Sequence, residues 1–183
     1  MAEIGELRII GITRASKKGE LMNLYLIRHA DALALGERGI TEDAARPLSS
    51  KGESQSRQVG QTLLKHGIKL DKLVTSPLVR ARQTTDLLLE GWNGQLPEIL
   101  VCDELVPDAR PRKLAKYLRK LDSRNVGLVG HLPHMAIWAA WLLGNKKVQI
   151  DMAKAGIACI ACENGPGKGQ GALQWLVTPS WYE

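Results

Sequence analysis

Short apolar runs alternate with segments of helical character along most of the chain, and this alternation limits the possible folds more than any other feature. Buried strands are indicated by LYLI at residues 24–27, DKLVTS at residues 71–76 and VGLVG at residues 126–130. Strands that alternate with helices of about 10 to 15 residues favour a mostly parallel sheet covered on both faces. The closing runs, GIACIACE at residues 156–163 and ALQWLVT at residues 172–178, predict an antiparallel hairpin. The sequence therefore predicts an α/β fold with three layers, α/β/α, and a mostly parallel central sheet with an antiparallel edge.

The segments between the strands carry residues that commonly begin and end helices. Ser49 or Ser50 can cap a helix that spans about residues 51–66. Gly67 follows at the position where a left-handed residue often ends a helix. Further elements are predicted as helices at residues 78–90, 111–121 and 134–143, and as a short strand at residues 98–102.

The length of 183 residues suits a single domain, which we expect to begin at the run MNLYLIRH. Residues 1–21 would then be an N-terminal extension, explained by translation from an upstream start codon, and residues 22–183 would form the domain. Glu3, Glu6 and Arg8 interrupt the apolar run that a signal peptide needs. No stretch approaches the ~20 apolar residues that span a bilayer, so we expect a cytoplasmic protein without membrane contact.

The formal net charge of +6 favours anionic partners in general. In the densest basic run, residues 110–124, Leu114, Leu118 and Leu121 are spaced as on one face of a helix. This pattern is typical of an amphipathic helix with a solvated basic face. Nucleic acid is only one class of anion, so no nucleic-acid partner is predicted.

Two short motifs resemble metal sites without completing one. CIAC at residues 159–162 has C-x-x-C spacing but falls in a predicted strand, where residues three apart point to opposite faces. His131 and His134 form H-x-x-H, and neither motif has the further ligands that a zinc site requires. We therefore expect buried cysteines of the kind found in reducing compartments, no metal and no cofactor.

Chemically reactive side chains follow three of the predicted strands, at the points where these strands end. Arg28 and His29 follow the first strand. Ser76 and Arg80 follow the second, and His131 follows VGLVG. In an open α/β sheet, the carboxyl ends of the strands form the crevice in which ligands bind. Two histidines and two arginines are therefore expected to meet at one site.

Such a site suits a phosphoryl group. Arginine presents a fork of N–H donors that matches phosphate oxygens, and each charge-assisted hydrogen bond contributes about 1.5–3 kcal/mol. A neutral imidazole has a lone pair that can attack phosphorus and form a covalent phosphohistidine. Neighbouring guanidinium charges disfavour the imidazolium form and keep the nucleophile neutral.

LIRHA, SPLVRARQT and VGH together resemble the signature of the histidine phosphatase superfamily, which includes phosphoglycerate mutases and many phosphatases. ARPLSSKG at residues 45–52 and the run VGHLPH resemble more specifically the short bacterial phosphohistidine phosphatases of the SixA type. The resemblance covers nearly all of the chain from Met22 to about Thr178. It implies a phosphoglycerate mutase-like fold and metal-independent phosphatase activity.

The resemblance also implies a role for each matching residue. His29 would be phosphorylated during turnover, and Arg28 and Arg80 would bind the phosphoryl oxygens. His131 would donate a hydrogen bond to the phosphate and stabilise the transition state. Arg46, which precedes Pro-Leu, would reach the same pocket.

Two further residues are candidates with open alternatives. Ser76 could donate a hydrogen bond to the substrate, or it could cap the following helix. Members that hydrolyse phosphomonoesters use a carboxylate as general acid, and Glu104 is the first choice among the acidic residues of the relevant stretch. A phosphoramidate leaving group departs more readily, so an enzyme for phosphohistidine needs no dedicated acid.

The leading interpretation is a phosphohistidine phosphatase that acts on a histidine-containing phosphotransfer domain in phosphorelay signalling. One alternative is a small-molecule phosphomonoesterase or mutase of the same superfamily. A second is a non-catalytic phosphate-binding signalling module, and a third, favoured by basic charge alone, is a nucleic-acid binder. The oligomeric state is left open.

Overall fold

A six-stranded sheet forms the centre of the structure, a computed structural model that describes residues 21–182. Its strands are β1 (Met22–Arg28), β2 (Lys72–Thr75), β3 (Glu98–Val101), β4 (Asn125–Gly130), β5 (Ile157–Cys162) and β6 (Gly171–Val177). They are ordered β3-β2-β4-β1-β5-β6 across the sheet. The first four strands of the chain are mutually parallel, while β5 is antiparallel to both β1 and β6. The predicted parallel sheet with an antiparallel hairpin at its edge is confirmed.

Four helices connect the strands: α1 (Ser50–Lys65), α2 (Val79–Leu89), α3 (Pro111–Leu118) and α4 (His134–Leu142). Ser49 caps α1, since its side chain accepts a hydrogen bond from the Gly52 N–H. The predicted helix at residues 111–121 is shorter than expected, because the chain after Leu118 continues in tight turns, with Leu121 N–H donating to the Leu118 carbonyl. Short 3-10 turns occur at Glu37–Gly39, Asp43–Ala45, Asp103–Leu105 and Pro179–Trp181.

Two apolar layers cover the two faces of the sheet. On one face, Ile27 of β1 packs in a cluster with Val59 and Leu63 of α1 and with Leu88 of α2. On the other face, helices α3 and α4 contribute to a second cluster, which includes Leu24 and Leu26 of β1 together with Leu114, Leu118 and Met135. Alternate residues of β1 enter opposite layers, as the pleat of a strand requires. The three-layer α/β/α architecture is thereby confirmed.

The domain boundary predicted at residue 22 coincides with the first residue of β1. The predicted extension at residues 1–21 lies, apart from Leu21, outside the described residues. Within residues 21–182, every helix is too short or too polar to cross a membrane.

The order of the strands decides where the functional side chains can meet. β4 lies between β1 and β2, and all three run in the same direction. Arg28 of β1 is opposite Gly130 of β4, and Thr75 of β2 is opposite Val129 of β4. The three strands therefore end at the same level, and the residues that follow them share one edge of the sheet.

Candidate active site

Backbone hydrogen bonds hold the three strand ends together beyond the strands themselves. The His29 N–H donates to the Gly130 carbonyl at 2.9 Å, and the Ser76 N–H donates to the Val129 carbonyl at 3.0 Å. His131 follows Gly130 directly. The sheet thus delivers His29, Ser76 and His131 to one place from three distant parts of the chain.

The imidazole rings of His29 and His131 are neighbours, with ring centroids 4.9 Å apart and 51° between the ring planes. Both side chains are buried, and 8% of His29 remains exposed. His29 Nδ1 donates to the Ala30 carbonyl at 2.7 Å. Because the neutral ring carries its proton on the donating nitrogen, its lone pair lies on Nε2. His29 Nε2 is therefore the nitrogen that is able to attack phosphorus.

Burial keeps both histidines neutral. Desolvation lowers the pKa of His29 to about 4, and the positive charges of Arg80 and Arg28 act in the same direction. Desolvation likewise lowers the pKa of His131 to about 3, with His29 and Arg80 as further causes. An imidazole with either pKa is almost fully deprotonated at neutral pH. The electrostatics therefore maintain the form of the ring that a nucleophile needs.

Ser76 contacts His131 more closely than it contacts the following helix. Its Oγ lies 2.9 Å from His131 Nε2, and both groups are buried. The Leu78 N–H donates to the same Oγ at the longer distance of 3.4 Å, and Leu78 itself occupies the cap position of α2, which starts at Val79. The principal partner of Ser76 is thus His131, and the alternative role as helix cap is a minor one.

Arg80 and Arg46 both reach the loop that follows the first strand. The side chain of Arg80 is 5% exposed, and its two terminal nitrogens donate to the Asp43 carbonyl at 2.7 Å and to Asp43 Oδ2 at 3.0 Å. Arg46 donates through Nη1 to Asp43 Oδ1 at 3.0 Å and through Nε to the Leu33 carbonyl. The two arginines thus meet at one carboxylate.

Arg28 contacts a different segment, the one that precedes β5. Its Nη1 donates to the Met152 carbonyl at 2.7 Å, and burial lowers the pKa of its guanidinium. The Nε atoms of Arg28 and Arg80 and Nδ1 of His131 are buried without a hydrogen-bond partner within residues 21–182. Buried polar groups are normally paired, so these atoms carry hydrogen-bonding capacity that the described residues leave unused.

Comparison with known proteins identifies the family to which this chain belongs. Residues 24–105 match the model of the histidine phosphatase superfamily, branch 1. An uncharacterized protein of Picosynechococcus sp. is 32% identical over 168 residues, which cover 87% of this chain and 98% of that protein. The chain belongs to the histidine phosphatase superfamily. The match to this family, together with the SixA relatives described next, identifies the chain as a phosphatase, and hence a hydrolase.

Two further matches carry the name SixA. Phosphohistidine phosphatase SixA of Escherichia coli K12 is 26% identical over 162 residues, which cover 86% of this chain and 94% of that protein. A solved structure of the protein histidine phosphatase SixA in complex with tungstate aligns with a TM-score of 0.78 and 24% identity, over 88% of this chain and all of that one. The fold of this superfamily member is therefore phosphoglycerate mutase-like, as predicted.

Glu104 lies near Lys113 and His134. It forms an ion pair with Lys113 at 3.7 Å, and its charge acts on the pKa of His134, which burial lowers. His134 is buried, and neither of its ring nitrogens has a partner within residues 21–182. The same part of the chain contains no group of three or more His, Cys, Asp or Glu side chains arranged to hold a metal ion.

Some side chains at the site carry no signal in the sequence that would single them out. Asp43 joins Arg46 and Arg80, and its only local clue is its place three residues before Arg46. Lys154 forms an ion pair with Asp31 at 2.5 Å, and its charge helps to lower the pKa of His29. The contacts of Asp43 with Arg80 and of Lys154 with Asp31 span 37 and 123 residues of chain, and no local pattern encodes them.

Gly52 explains how α1 comes so close to the segment after His29. A Cβ at this position would lie 1.9 Å from the Asp31 carbonyl oxygen, which real atoms cannot do. Ser49 also ties the start of α1 to this segment, because its Oγ donates to the Asp31 carboxylate at 2.6 Å. The ARPLSSKG segment thus contributes Arg46 to the site and packs the start of α1 against Asp31, two residues after His29.

Proposed function

We propose that this phosphatase hydrolyses phosphohistidine on a protein substrate through a covalent phospho-His29 intermediate. The observation that carries the proposal is the pair of buried, neutral imidazoles 4.9 Å apart, with the lone pair of His29 on Nε2. The names of the SixA relatives support phosphohistidine as the substrate. Tungstate, which one of them binds, is a tetrahedral oxyanion like phosphate, and this supports a phosphoryl pocket.

In the first step, His29 Nε2 attacks the phosphorus atom, and the P–N bond of the substrate breaks. The departing imidazole takes a proton from solvent and leaves as a neutral ring. Arg28 and Arg80 would bind the phosphoryl oxygens, and His131 would donate to them as negative charge develops. Arg46 would add a donor from the side of the loop.

In the second step, a water molecule attacks phospho-His29, the new P–N bond breaks, and inorganic phosphate leaves with His29 restored. Splitting the reaction into two displacements replaces one difficult step by two easier ones. Because the first leaving group is an imidazole, no carboxylic acid is required to protonate an alkoxide.

The basic surface of α3 supports a protein substrate with acidic surroundings. The exposed cations of this helix and its flanks are Arg110, Arg112, Lys113, Lys116, Arg119 and Lys120. A concentrated positive surface raises the rate of encounter with an acidic partner at low salt. We therefore infer that the partner is a histidine-containing phosphotransfer domain of a cytoplasmic phosphorelay.

The decisive experiment is incubation of the protein with phosphoramidate as donor, followed by mapping of the label. We expect an acid-labile, base-stable phosphoryl group on His29, formed and lost at rates that account for turnover. His66, an exposed histidine at the end of α1, provides the matched control. His29→Ala should abolish labelling, and His66→Ala should label normally. Turnover of phosphohistidine that persists in His29→Ala would refute the proposal.

A further inference from the structure

Asp43 occupies the point at which two expected phosphoryl-binding arginines meet. Its Oδ1 accepts a hydrogen bond from Arg46 Nη1, and its Oδ2 accepts one from Arg80 Nη2, both at 3.0 Å. Its backbone carbonyl accepts a third from Arg80 Nη1 at 2.7 Å. A single residue in a short 3-10 turn thus contacts two arginines that enter from different elements.

These contacts fix Arg80 more tightly than one hydrogen bond could. Both terminal nitrogens of the buried guanidinium are held by the same residue, so the plane of the fork cannot rotate freely. The Nε atom of Arg80 is buried without a partner within residues 21–182. Nε–H and the second hydrogens of the terminal nitrogens are consequently the donors that remain for an anion.

The charge of Asp43 also makes it possible for the arginines to lie close together. Two guanidinium groups repel each other, and a shared carboxylate offsets that repulsion. Hydrogen bonding to Arg46, followed by the charge of Arg80, lowers the pKa of Asp43. Asp43 is therefore an anion at neutral pH, which suits a structural counter-charge and does not suit a general acid.

We propose that Asp43 is a positioning residue that joins Arg46 and Arg80 into one phosphoryl-binding unit. The proposal rests on the proposed function for the identity of the bound anion. Through Asp43, the loop that carries Arg46 is fastened to α2, which carries Arg80, so both guanidiniums are oriented before the phosphoryl group arrives. Asp43 itself does not touch the reacting atoms.

The test is direct binding of inorganic phosphate by calorimetry, together with kcat, KM and thermal stability, for Asp43→Asn and Asp43→Glu. Asp43→Asn should weaken phosphate binding and raise KM about tenfold, the effect of losing the orientation of about one charge-assisted hydrogen bond, while kcat changes less than about threefold. Asp43→Glu should restore most of the binding. Glu42, exposed and adjacent with no side-chain capping bond, is the matched control, and Glu42→Gln should bind phosphate within about twofold of the parent.

A second comparison separates positioning from a general loss of structure. In an Arg46→Ala background, Asp43→Asn should have a smaller effect on phosphate binding than in the parent, because part of its action passes through Arg46. Equal effects in both backgrounds, or unchanged phosphate binding in Asp43→Asn, would overturn the inference. Phosphate binding does not depend on a covalent intermediate. If the Asp43 variants bind phosphate normally, the inference about Asp43 fails while the labelling of His29 can still support the proposed function. If His29 is not labelled, the proposed function fails while the binding measurements still test the role of Asp43.

Discussion

Cys159 and Cys162 are close in sequence and separated in space, whereas His29 and His131 are distant in sequence and adjacent in space. The two cysteines lie on one strand, β5, and their side chains enter the apolar layers on opposite faces of the sheet. The two histidines follow different strands, and their rings lie 4.9 Å apart. In this fold, the order and direction of the strands create a site, and spacing along the chain does not.

Burial shifts the pKa values of both pairs, with opposite consequences for their reactivity. Burial disfavours charge, so it raises the pKa of Cys159 and of Cys162 to about 12 and lowers the pKa of His29 to about 4. A neutral thiol is a poor nucleophile, whereas a neutral imidazole is a good one. Burial therefore makes the two cysteines unreactive and keeps the two histidines in the neutral form that can act as a nucleophile.

Substitutions of His29 and of Cys159 should give the largest difference in activity. We expect His29→Asn to lower kcat/KM for phosphohistidine by more than about 1,000-fold, because His29 forms the covalent intermediate in the proposed mechanism. Cys159→Ala should leave kcat/KM within about twofold and lower the free energy of unfolding by about 1 kcal/mol. Steady-state kinetics and thermal unfolding of both variants measure this contrast. A large loss of activity in a folded Cys159→Ala protein would contradict it.

The pH dependence of phosphorylation should give the next largest effect. At pH 5, an ordinary imidazole with a pKa of 6.5 is only about 3% neutral, whereas His29 with a pKa of about 4 is about 90% neutral. The rate of labelling of His29, measured in single turnovers from pH 8 to pH 4, should therefore stay nearly constant to about pH 5. A fall of about 30-fold between pH 8 and pH 5 would show that burial does not hold the ring neutral.

The stability of the fold sets the lowest pH at which the rate of labelling can be measured. Both histidines have a lower pKa in the folded chain than in the unfolded chain, so below about pH 6.5 the unfolded chain binds protons that the folded chain does not. Stability is then lost as pH falls, by up to about 1.4 kcal/mol per pH unit for each histidine, until the folded pKa is reached. Thermal unfolding at each pH identifies the range in which the labelling rates are valid.

Much of the fold and part of the site can be predicted from the sequence because their signals are local. Apolar runs, cap residues and glycines predict the strands and helices, and the rule that ligands bind at the carboxyl ends of parallel strands predicts that His29 and His131 meet. The contact of Asp43 with Arg80 cannot be predicted in this way, because it depends on how a loop folds over a helix. The same holds for Ser76, whose sequence position suits a cap while its main partner is His131.

Ser76 offers a comparison between two buried serines, with a smaller expected effect. Ser76 Oγ bonds to His131 Nε2, whereas Ser56 Oγ donates to the Gly52 carbonyl at 2.8 Å. Ser76→Ala and Ser56→Ala should each lower the free energy of unfolding by about 1 kcal/mol. Only Ser76→Ala should also lower kcat, by about tenfold, because it leaves the ring of His131 without the bond that orients it. Equal kcat values for the two variants would assign Ser76 a purely structural role.

The smallest effect is expected at Glu104, and it tests the choice of substrate. Glu104 and Glu98 are both carboxylates paired with a lysine, Lys113 and Lys72 respectively, so Glu98→Gln is a matched control for Glu104→Gln. With phosphohistidine as substrate, both variants should retain activity within about threefold, because the imidazole leaving group requires no dedicated acid. Phosphoserine, whose leaving group is an alkoxide, should be turned over far more slowly than phosphohistidine by the parent protein.

If phosphoserine is instead the better substrate, and Glu104→Gln abolishes its hydrolysis while Glu98→Gln does not, Glu104 is the general acid. The protein would then be a phosphomonoesterase of the superfamily.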